Sequence, residues 1–301
     1  MKKRAIGIDL GGTTLSVGLV TSDGTVEKIR KQSLIHKDVS SIVNFITTEV
    51  QVLLAETSSD LEGVGIGVPG IVNSEQGIVF QSPHFPTWRD IPIKRLLSEK
   101  IQCPITLDND ANMFALGEQR FGAGRACRNF IMLTLGSGIG CGLVLEGKLF
   151  RGDRGFAGEV GHMVIEPDGP PCHCGSRGCW ELYAASHAFR HLSGEKNLTP
   201  ENMALLAEKG DKVALKLWEE FGRYLGMGIH SLISVLGVTR IIIAGGILGG
   251  WDYFFDAAKK EMVSRAYAEN AKQLVLQKSE LGNNGGVIGA ASSVLITRLL
   301  A

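Results

Sequence analysis

The sequence predicts an α/β fold with two sheets, each of which opens with a three-stranded meander. Three observations support this prediction. Strand-like and helix-like apolar patterns alternate along most of the chain. Glycine makes up 39 of the 301 residues and stands at the ends of apolar runs, where tight turns are needed. A strand, a glycine turn and two further strands near the N-terminus recur after residue 129, which indicates two similar halves. This length favours two domains of about 150 residues each.

The first half of the chain reads as a meander followed by alternating helices and strands. Ser22-Asp23-Gly24 is typical of the turn of a β-hairpin. Pro69 and Gly70 end a β-branched strand, and three polar residues from Asp108 mark the start of a helix. The predicted strands are residues 5–9, 15–21, 25–32, 64–68 and 104–107, and the predicted helices are 39–56 and 111–121.

The second half repeats this order. Gly136-Ser-Gly-Ile-Gly140 is the turn after its first strand, and Glu146-Gly147-Lys148 is a hairpin turn. The predicted strands are residues 129–135, 141–145, 149–150, 240–244 and 273–277, and the predicted helices begin near Glu181, Lys212, Trp251 and Val287.

Composition and charge exclude several classes of protein. Lys plus Arg and Asp plus Glu both number 31, so no net field favours binding to nucleic acid or to anionic lipid. The most apolar run, residues 241–248, is far shorter than the roughly 20 residues that cross a membrane. Asp9 interrupts the apolar stretch that follows the basic N-terminus, which argues against a secretory signal. We therefore expect a cytoplasmic protein with no nucleic-acid partner and no membrane contact.

Two glycine loops are candidates for binding phosphate groups. Asp9-Leu-Gly-Gly-Thr-Thr14 places a carboxylate at a strand end, then glycines that let a ligand approach, then two hydroxyl groups. Gly136-Ser137-Gly138 occupies the equivalent place in the second half, without the acid. The first loop suits phosphate with magnesium, although either loop alone is also typical of a tight hairpin. The G-x-G-x-x-G match at 65–70 contains Pro69 and favours a strand end, and the sequence has no P-loop motif.

A cluster of cysteines predicts a metal site. Cys172, Cys174 and Cys179 fall within eight residues, and His162 lies ten residues before the first of them. Three thiolates and one imidazole are the ligand set of a closed, tetrahedral zinc site. His173 is the alternative imidazole ligand, although its position between two cysteines makes simultaneous coordination awkward.

Five motifs are spread over most of the chain: Asp9-Leu-Gly-Gly-Thr13, Gly67-Val-Pro-Gly70, Asn109-Asp-Ala-Asn112, Glu159-Val-Gly-His162 and Cys172-x-Cys-Gly-x-x-Gly-Cys-x-Glu181. Together they resemble the ROK family of repressors, open reading frames and sugar kinases, from about residue 5 to 295. The resemblance implies an actin-like ATPase (ribonuclease H-like) fold with two domains around a cleft. We expect the N-terminal domain to comprise residues 1–118 plus 287–301, and the C-terminal domain, with the zinc loop, to comprise 119–286.

The resemblance also implies roles for individual residues. Asp110 matches the general base that takes the proton of the attacking sugar hydroxyl, although an Asp at this place is more often a helix cap. The sugar-binding positions are Gly70, Asn109, Asp110, Glu159, His162 and Glu181. The positions for ATP and Mg²⁺ are Asp9, Gly11, Gly12, Thr13, Thr14, Gly136, Ser137, Gly138, Gly245 and Gly246.

These roles predict an ATP-dependent hexose kinase that converts glucose to glucose 6-phosphate, with a structural Zn²⁺ held by His162, Cys172, Cys174 and Cys179. The alternatives are a kinase for N-acetylmannosamine, N-acetylglucosamine or fructose, or a sugar-sensing regulator. A regulator needs a helix-turn-helix module, and the first strand begins at about Ala5, so we expect an enzyme. The family also implies a homodimer or homotetramer. His84 departs from the family pattern, which usually has asparagine there near the sugar pocket.

Overall fold

The structure is a computed structural model that describes residues 2–56, 61–194 and 198–297. The chain folds into two compact units. The first comprises the described parts of residues 1–128, 142–157 and 279–301, and the second those of residues 129–141 and 158–278. The last four residues of the predicted N-terminal domain, 298–301, lie outside the described residues.

The strands are β1 (Arg4–Leu10), β2 (Thr14–Thr21), β3 (Val26–Ser33), β4 (Leu61–Val68), β5 (Ile71–Asn73), β6 (Ile78–Gln81), β7 (Arg89–Ile91), β8 (Ile105–Asn109), β9 (Phe130–Leu135), β10 (Ile139–Leu145), β11 (Lys148–Phe150), β12 (Arg240–Ala244) and β13 (Val275–Lys278). The α-helices are α1 (Val39–Ala55), α2 (Ile93–Ser98), α3 (Asp110–Phe121), α4 (Glu181–Ala184), α5 (Ala188–Ser193), α6 (Pro200–Glu208), α7 (Lys212–Leu236), α8 (Trp251–Arg265), α9 (Ala268–Ala271) and α10 (Gly285–Thr297). Short 3₁₀ turns span 153–155, 160–162, 246–250 and 282–284.

The first sheet brings the ends of three parallel strands to one edge. Its strand order is β3-β2-β1-β4-β8, with the predicted meander β1–β3 antiparallel and β1, β4 and β8 parallel. Asp9 on β1 is in register with Gly67 on β4, and Gly67 is in register with Asp108 on β8. Because neighbouring strands lie about 4.8 Å apart, these ends form one polar edge beside the start of α3.

Two hydrophobic layers cover this sheet. On one face, α1 packs Ile42, Ile46 and Val50 against the strand residues of the larger core. On the other face, α10 packs its apolar residues against Ala5 and Val20. A Cβ atom at Gly7 would lie 1.9 Å from the carbonyl oxygen of Val287, so α10 rests directly on β1. This packing places the first residues of α10 beside the end of β1 that carries Asp9.

The second sheet repeats the topology of the first, which confirms the predicted repeat. Its order is β11-β10-β9-β12-β13, and β9, β12 and β13 are parallel. Strand β12 coincides with its predicted range, whereas α10 begins two residues before Val287 and the helix at Glu181 has a single turn. In the second unit, the long helix α7 packs buried aromatic rings, Trp218 and Phe221 among them, against Phe189 and Phe254.

The third sheet, β5-β6-β7, was not predicted. Its strands have only three or four residues, too few to show a strand period. None of the helices in the described residues is long and apolar enough to cross a bilayer.

Candidate active site and metal centre

Two carboxylates stand at the polar edge of the first sheet. Asp9 is the second-last residue of β1, and Asp110 is the first residue of α3. Both side chains are partly covered, and burial raises the pKa of Asp110 to about 6. The pKa of Asp9 is raised to about 7, mainly by burial and then by the charge of Asp110, and the charge of Lys31 opposes this rise. The edge therefore holds two acids whose negative charge is poorly compensated.

Asn109 takes the helix-capping role that was the alternative for Asp110. Its Oδ1 accepts hydrogen bonds from the backbone N–H groups of Ala111 and Asn112, at 2.9 and 3.2 Å. Its Nδ2 donates to the carbonyl oxygen of Gly70 at 2.9 Å. The Asn109 side chain also bonds to the Asp110 carboxylate, which lowers the pKa of Asp110 against the larger effect of burial. With Asn109 as the cap, Asp110 follows inside the first helical turn, where the helix dipole favours a negative charge.

The first glycine loop is closed and packed against His84. The N–H of Gly11 donates to the carbonyl oxygen of Thr14 at 2.8 Å, which folds residues 11–14 into a turn between β1 and β2. A Cβ atom at Gly12 would lie 2.5 Å from Nδ1 of His84, so only glycine allows this close approach. The segment around His84 is fixed because Phe85 and Trp88 stack in the core and are fully buried. The structure thus places His84 against the predicted phosphate loop.

The second glycine loop is braced from the residues after α4. The N–H of Ser186 donates to the carbonyl oxygen of Gly136 at 2.8 Å. His187 Nδ1 lies 2.8 Å from the carbonyl oxygen of Ser137, and since a carbonyl can only accept, Nδ1 carries the hydrogen. Burial lowers the pKa of His187, which favours this neutral form. These contacts fix the backbone of residues 136–137.

Glu181 joins this loop to the cysteine cluster. A Cβ atom at Gly138 would lie 2.7 Å from Glu181 Oε2, so the carboxylate rests on the loop. Its other oxygen, Oε1, lies 3.5 Å from Cys172 Sγ and 3.2 Å from His173 Nδ1. The side chain is 6% exposed. Glu181 is therefore held from both sides.

The cluster brings together the four predicted zinc ligands. His162 Nδ1 lies 3.7 Å from Cys172 Sγ, and Cys174 Sγ lies 3.6 Å from Cys179 Sγ. All four ligand atoms lie within 4.8 Å of one another. Sulfur atoms about 2.3 Å from a tetrahedral zinc stand about 3.8 Å apart, so these residues fit the ion. His173, the alternative ligand, lies with His162 and Glu181 in a second set of the same compactness.

The two ring nitrogens of His162 face different groups. Nδ1 faces Cys172, whereas Nε2 lies 3.9 Å from Glu159 Oε2. Burial lowers the pKa of His162, which favours the neutral imidazole that a metal requires. Burial raises the pKa of the Cys172 thiol to about 12, so its ionisation requires a cation. Glu159, His162 and Glu181 all belong to the second unit.

The last predicted glycines follow β12. Gly245 adopts φ = 106°, and Gly246 begins a 3₁₀ turn that leads into α8. This is the strand–glycine–helix order that the sequence predicts for them.

Sequence reasoning missed the ion pair of Arg151 with Asp108 and the contact of His84 with Gly12. The two residues of each pair are more than 40 positions apart in the sequence, and no local pattern signals their contact.

Comparison with known proteins places the chain in a family. The ROK family matches residues 5–296. The glucokinase of Thermotoga maritima is 33% identical over 97% of this chain and 98% of that protein. The xylose repressor of Bacillus subtilis is 34% identical over 97% of this chain and 77% of the repressor. The crystal structure of a ROK family glucokinase from Streptomyces griseus, in complex with glucose and AMPPNP, matches with a TM-score of 0.82 and 32% identity, covering 96% of this chain and 98% of that one.

The chain therefore belongs to the ROK family, as the five motifs predict. Its structural match confirms the predicted actin-like ATPase fold. Its sequence and fold are those of a sugar kinase of the glucokinase type.

Proposed function

We propose that this protein transfers the γ-phosphoryl group of ATP to a hexose, with glucose as preferred substrate and glucose 6-phosphate and ADP as products. The observation that carries the proposal is the placement of Asp110. It stands in the first turn of α3, next to a cap that Asn109 already provides, at an edge that also holds Asp9. Asp110 Oδ1 accepts from the backbone N–H of Ala111 at 2.9 Å, which holds the carboxylate in place. A carboxylate has four lone-pair sites, so this bond leaves it able to take a proton.

Asp110 supplies general-base catalysis in this proposal. The C6 hydroxyl oxygen of the sugar attacks the γ-phosphorus, its proton passes to the carboxylate of Asp110, and the bond to the leaving oxygen of ADP breaks. A base is most effective when its pKa lies near the working pH, and burial raises that of Asp110 to about 6. Asn109 and Gly70, which are hydrogen-bonded to each other, would orient the hydroxyl beside it.

Mg²⁺ would be held near Asp9, with the ATP phosphates on the two glycine loops. The fit rests on the charge at this edge, because Asp9 and Asp110 repel each other and a cation would relieve that repulsion. The ion would offset the negative charge of the phosphates during transfer. Backbone N–H groups of residues 11–14 and 136–138 would hold the phosphate oxygens, and Gly245 and Gly246 the adenosine.

Glu159, His162 and Glu181 would bind sugar hydroxyls. Zn²⁺ on His162 Nδ1 and the three cysteines would be structural, because four protein ligands leave no open position for water. His162 Nε2 faces Glu159, away from Cys172, and is available to a hydroxyl. The metal would thus fix the orientation of a sugar-binding ring.

Glucose is proposed because of the loop before the cysteines. Nine residues, 163–171, separate His162 from Cys172. This length resembles the compact loop of glucokinases more than the longer insertions of relatives that act on fructose or N-acetylglucosamine. A site built around a hydroxyl would have to bury an acetamide without matched partners, which is costly.

A coupled ADP-release assay over a panel of hexoses tests this proposal. We expect glucose to give the highest kcat/KM, mannose and glucosamine to be weaker, and N-acetylated hexosamines to be poor. If N-acetylmannosamine, N-acetylglucosamine or fructose exceeds glucose about tenfold, which is about 1.4 kcal/mol, the glucose assignment is wrong and the kinase assignment stands. Sugar binding without turnover of any hexose would instead favour a regulator.

We also propose two features of the architecture. The first is the division into domains 1–118 plus 287–301 and 119–286, which agrees with the repeated sheet topology. It differs from the two compact units in the assignment of residues 119–128, 142–157 and 279–286, which lie in the first unit. The second is assembly into a homodimer or homotetramer, which rests on the resemblance alone. Limited proteolysis with mass mapping tests the first, and light scattering tests the second.

A further inference from the structure

We propose that Arg151 is a positioning residue for the proposed base, acting through Asp108. The inference rests on the proposed function, since it takes Asp110 as the base. Arg151 Nε donates to Asp108 Oδ2 at 2.7 Å. The two residues are 43 positions apart, and both belong to the first unit.

Asp108 holds the turn on both sides of Asp110. Its Oδ1 accepts from the backbone N–H of Asn109 at 2.8 Å and from Nδ2 of Asn112 at 2.9 Å. Asn109 precedes the base, and Asn112 lies two residues after it. One carboxylate therefore ties the cap of α3 to its first turn, and the orientation of the Asp110 side chain depends on that turn.

Arg151 compensates the negative charge of the Asp108 carboxylate that holds the turn. The side chain of Asp108 is 3% exposed, and a buried carboxylate is costly unless it is paired. The Arg151 side chain is 41% exposed, so its guanidinium remains partly hydrated while Nε binds the acid. Without this cation, Asp108 would be a buried, uncompensated charge next to the base, and the turn would rearrange to hydrate it.

The segment that carries Arg151 is itself anchored to the first unit. The N–H of Ala157 donates to the carbonyl oxygen of Arg151 at 3.0 Å, which closes residues 151–157 into a loop. Phe156 in this loop stacks on Phe80 of β6, with ring centroids 6.3 Å apart. The backbone of Arg151 is thus held in place by its loop, so its side chain can hold Asp108 and the first turn of α3 in one orientation.

The experiment compares Arg151→Met, Arg151→Lys, Asp108→Asn and the double variant Arg151→Met/Asp108→Asn in the full-length protein. Arg4→Met is the matched control, because Arg4 Nε binds Glu27 Oε2 at 2.8 Å in the same unit, at the other end of β1 from Asp9. The measurements are kcat, the affinities for glucose and for ATP by calorimetry, and hydrogen exchange of the peptide spanning residues 107–113.

We expect Arg151→Met to lower kcat about tenfold to a hundredfold, while glucose affinity stays within about twofold. Exchange at residues 107–113 should become faster, and Arg151→Lys should restore part of kcat. In the Asp108→Asn background, Arg151→Met should have little further effect, since the pair is already broken. Arg4→Met should change none of these quantities.

Three results would overturn the proposal. The first is unchanged kcat and unchanged exchange in Arg151→Met, and the second is a loss of glucose or ATP affinity in step with kcat, which would make Arg151 a ligand contact. The third is a double variant whose loss of kcat equals the product of the losses in the two single variants. If the wild-type protein phosphorylates no hexose, the proposed function fails, and exchange still decides the role of Arg151. Faster exchange would support its hold on the turn, and unchanged exchange would refute it.

Discussion

The negative charge of Asp110 acts together with burial, the larger cause, to raise the pKa of Asp9 to about 7. The two residues come from different elements, the end of β1 and the start of α3, and β4 lies between β1 and β8 in the sheet. Two acids whose charges interact in this way suit the proposed roles, in which a cation binds near one of them and the other takes a proton. In the proposed function, Asp9 lies near the metal and Asp110 serves the sugar.

Replacement of Asp110 by asparagine should abolish turnover and preserve sugar binding. The amide keeps the size and the hydrogen-bonding capacity of the side chain but cannot take the proton, so we expect kcat to fall on the order of 10²-fold or more. Asp38→Asn is the control, because Asp38 caps α1 in the same unit, through the N–H of Ser41, and asparagine also caps helices. Near wild-type turnover in Asp110→Asn would remove Asp110 from the role of base.

The pH dependence should follow the ionisation of Asp110. Its pKa is raised to about 6, and only the ionised carboxylate accepts a proton, so kcat/KM should fall as the pH drops through about 6 and should level off above it. The profile should be measured between pH 5 and 9, with circular dichroism at each pH to show that the fold is intact. A flat profile down to pH 5 in folded protein would contradict a base of raised pKa.

Much of the fold could be predicted from local sequence patterns, whereas contacts between residues far apart in the sequence could not. The meanders, the repeat and the long helices are marked in the sequence by apolar periodicity or by turn residues. The cysteines of the predicted metal site fall within one short segment, Cys172–Cys179. The contact between Gly12 and His84 joins residues 72 positions apart, and Arg151 binds Asp108 across 43. The spacing of such residues carries no signal, because only the folded chain brings them together.

The purified protein should contain about one zinc ion per chain, and Cys172→Ala and Cys174→Ala should lose it. Because the Cys172 pKa is raised to about 12, binding of the ion should release protons, measurable by calorimetry in buffers of different ionisation enthalpy. Cys127→Ala is the control, since this half-buried cysteine lies outside the cluster. Full zinc occupancy in both cluster variants would contradict the ligand assignment.

Glu118 should contribute strongly to stability. Its carboxylate is fully buried and accepts from the N–H groups of Ala123 and Leu281, at 2.7 and 3.1 Å, and from Ser279 Oγ at 2.5 Å. Glu118→Ala leaves these buried donors without their acceptor, so we expect the free energy of unfolding in urea to fall by about 3 kcal/mol or more. Glu56→Ala is the comparison, since Glu56 pairs with Lys28 where both side chains are exposed, and loss of such a pair should cost much less. Equal losses in the two variants would show that the Glu118 hydrogen bonds carry no special weight.

The contact between Gly138 and Glu181 should set the affinity for the sugar. A Cβ atom at residue 138 would lie 2.7 Å from Glu181 Oε2, and since that atom ends a side chain, the carboxylate should rotate away while the fold survives. We expect Gly138→Ala to weaken glucose binding about tenfold, with little change in Tm, because a displaced carboxylate leaves a sugar hydroxyl unpaired. Gly136→Ala is the matched control in the same loop, where an added Cβ meets no protein atom within 4 Å. Calorimetric titration with glucose alone should therefore separate the two variants, and equal affinities would remove Glu181 from the sugar site.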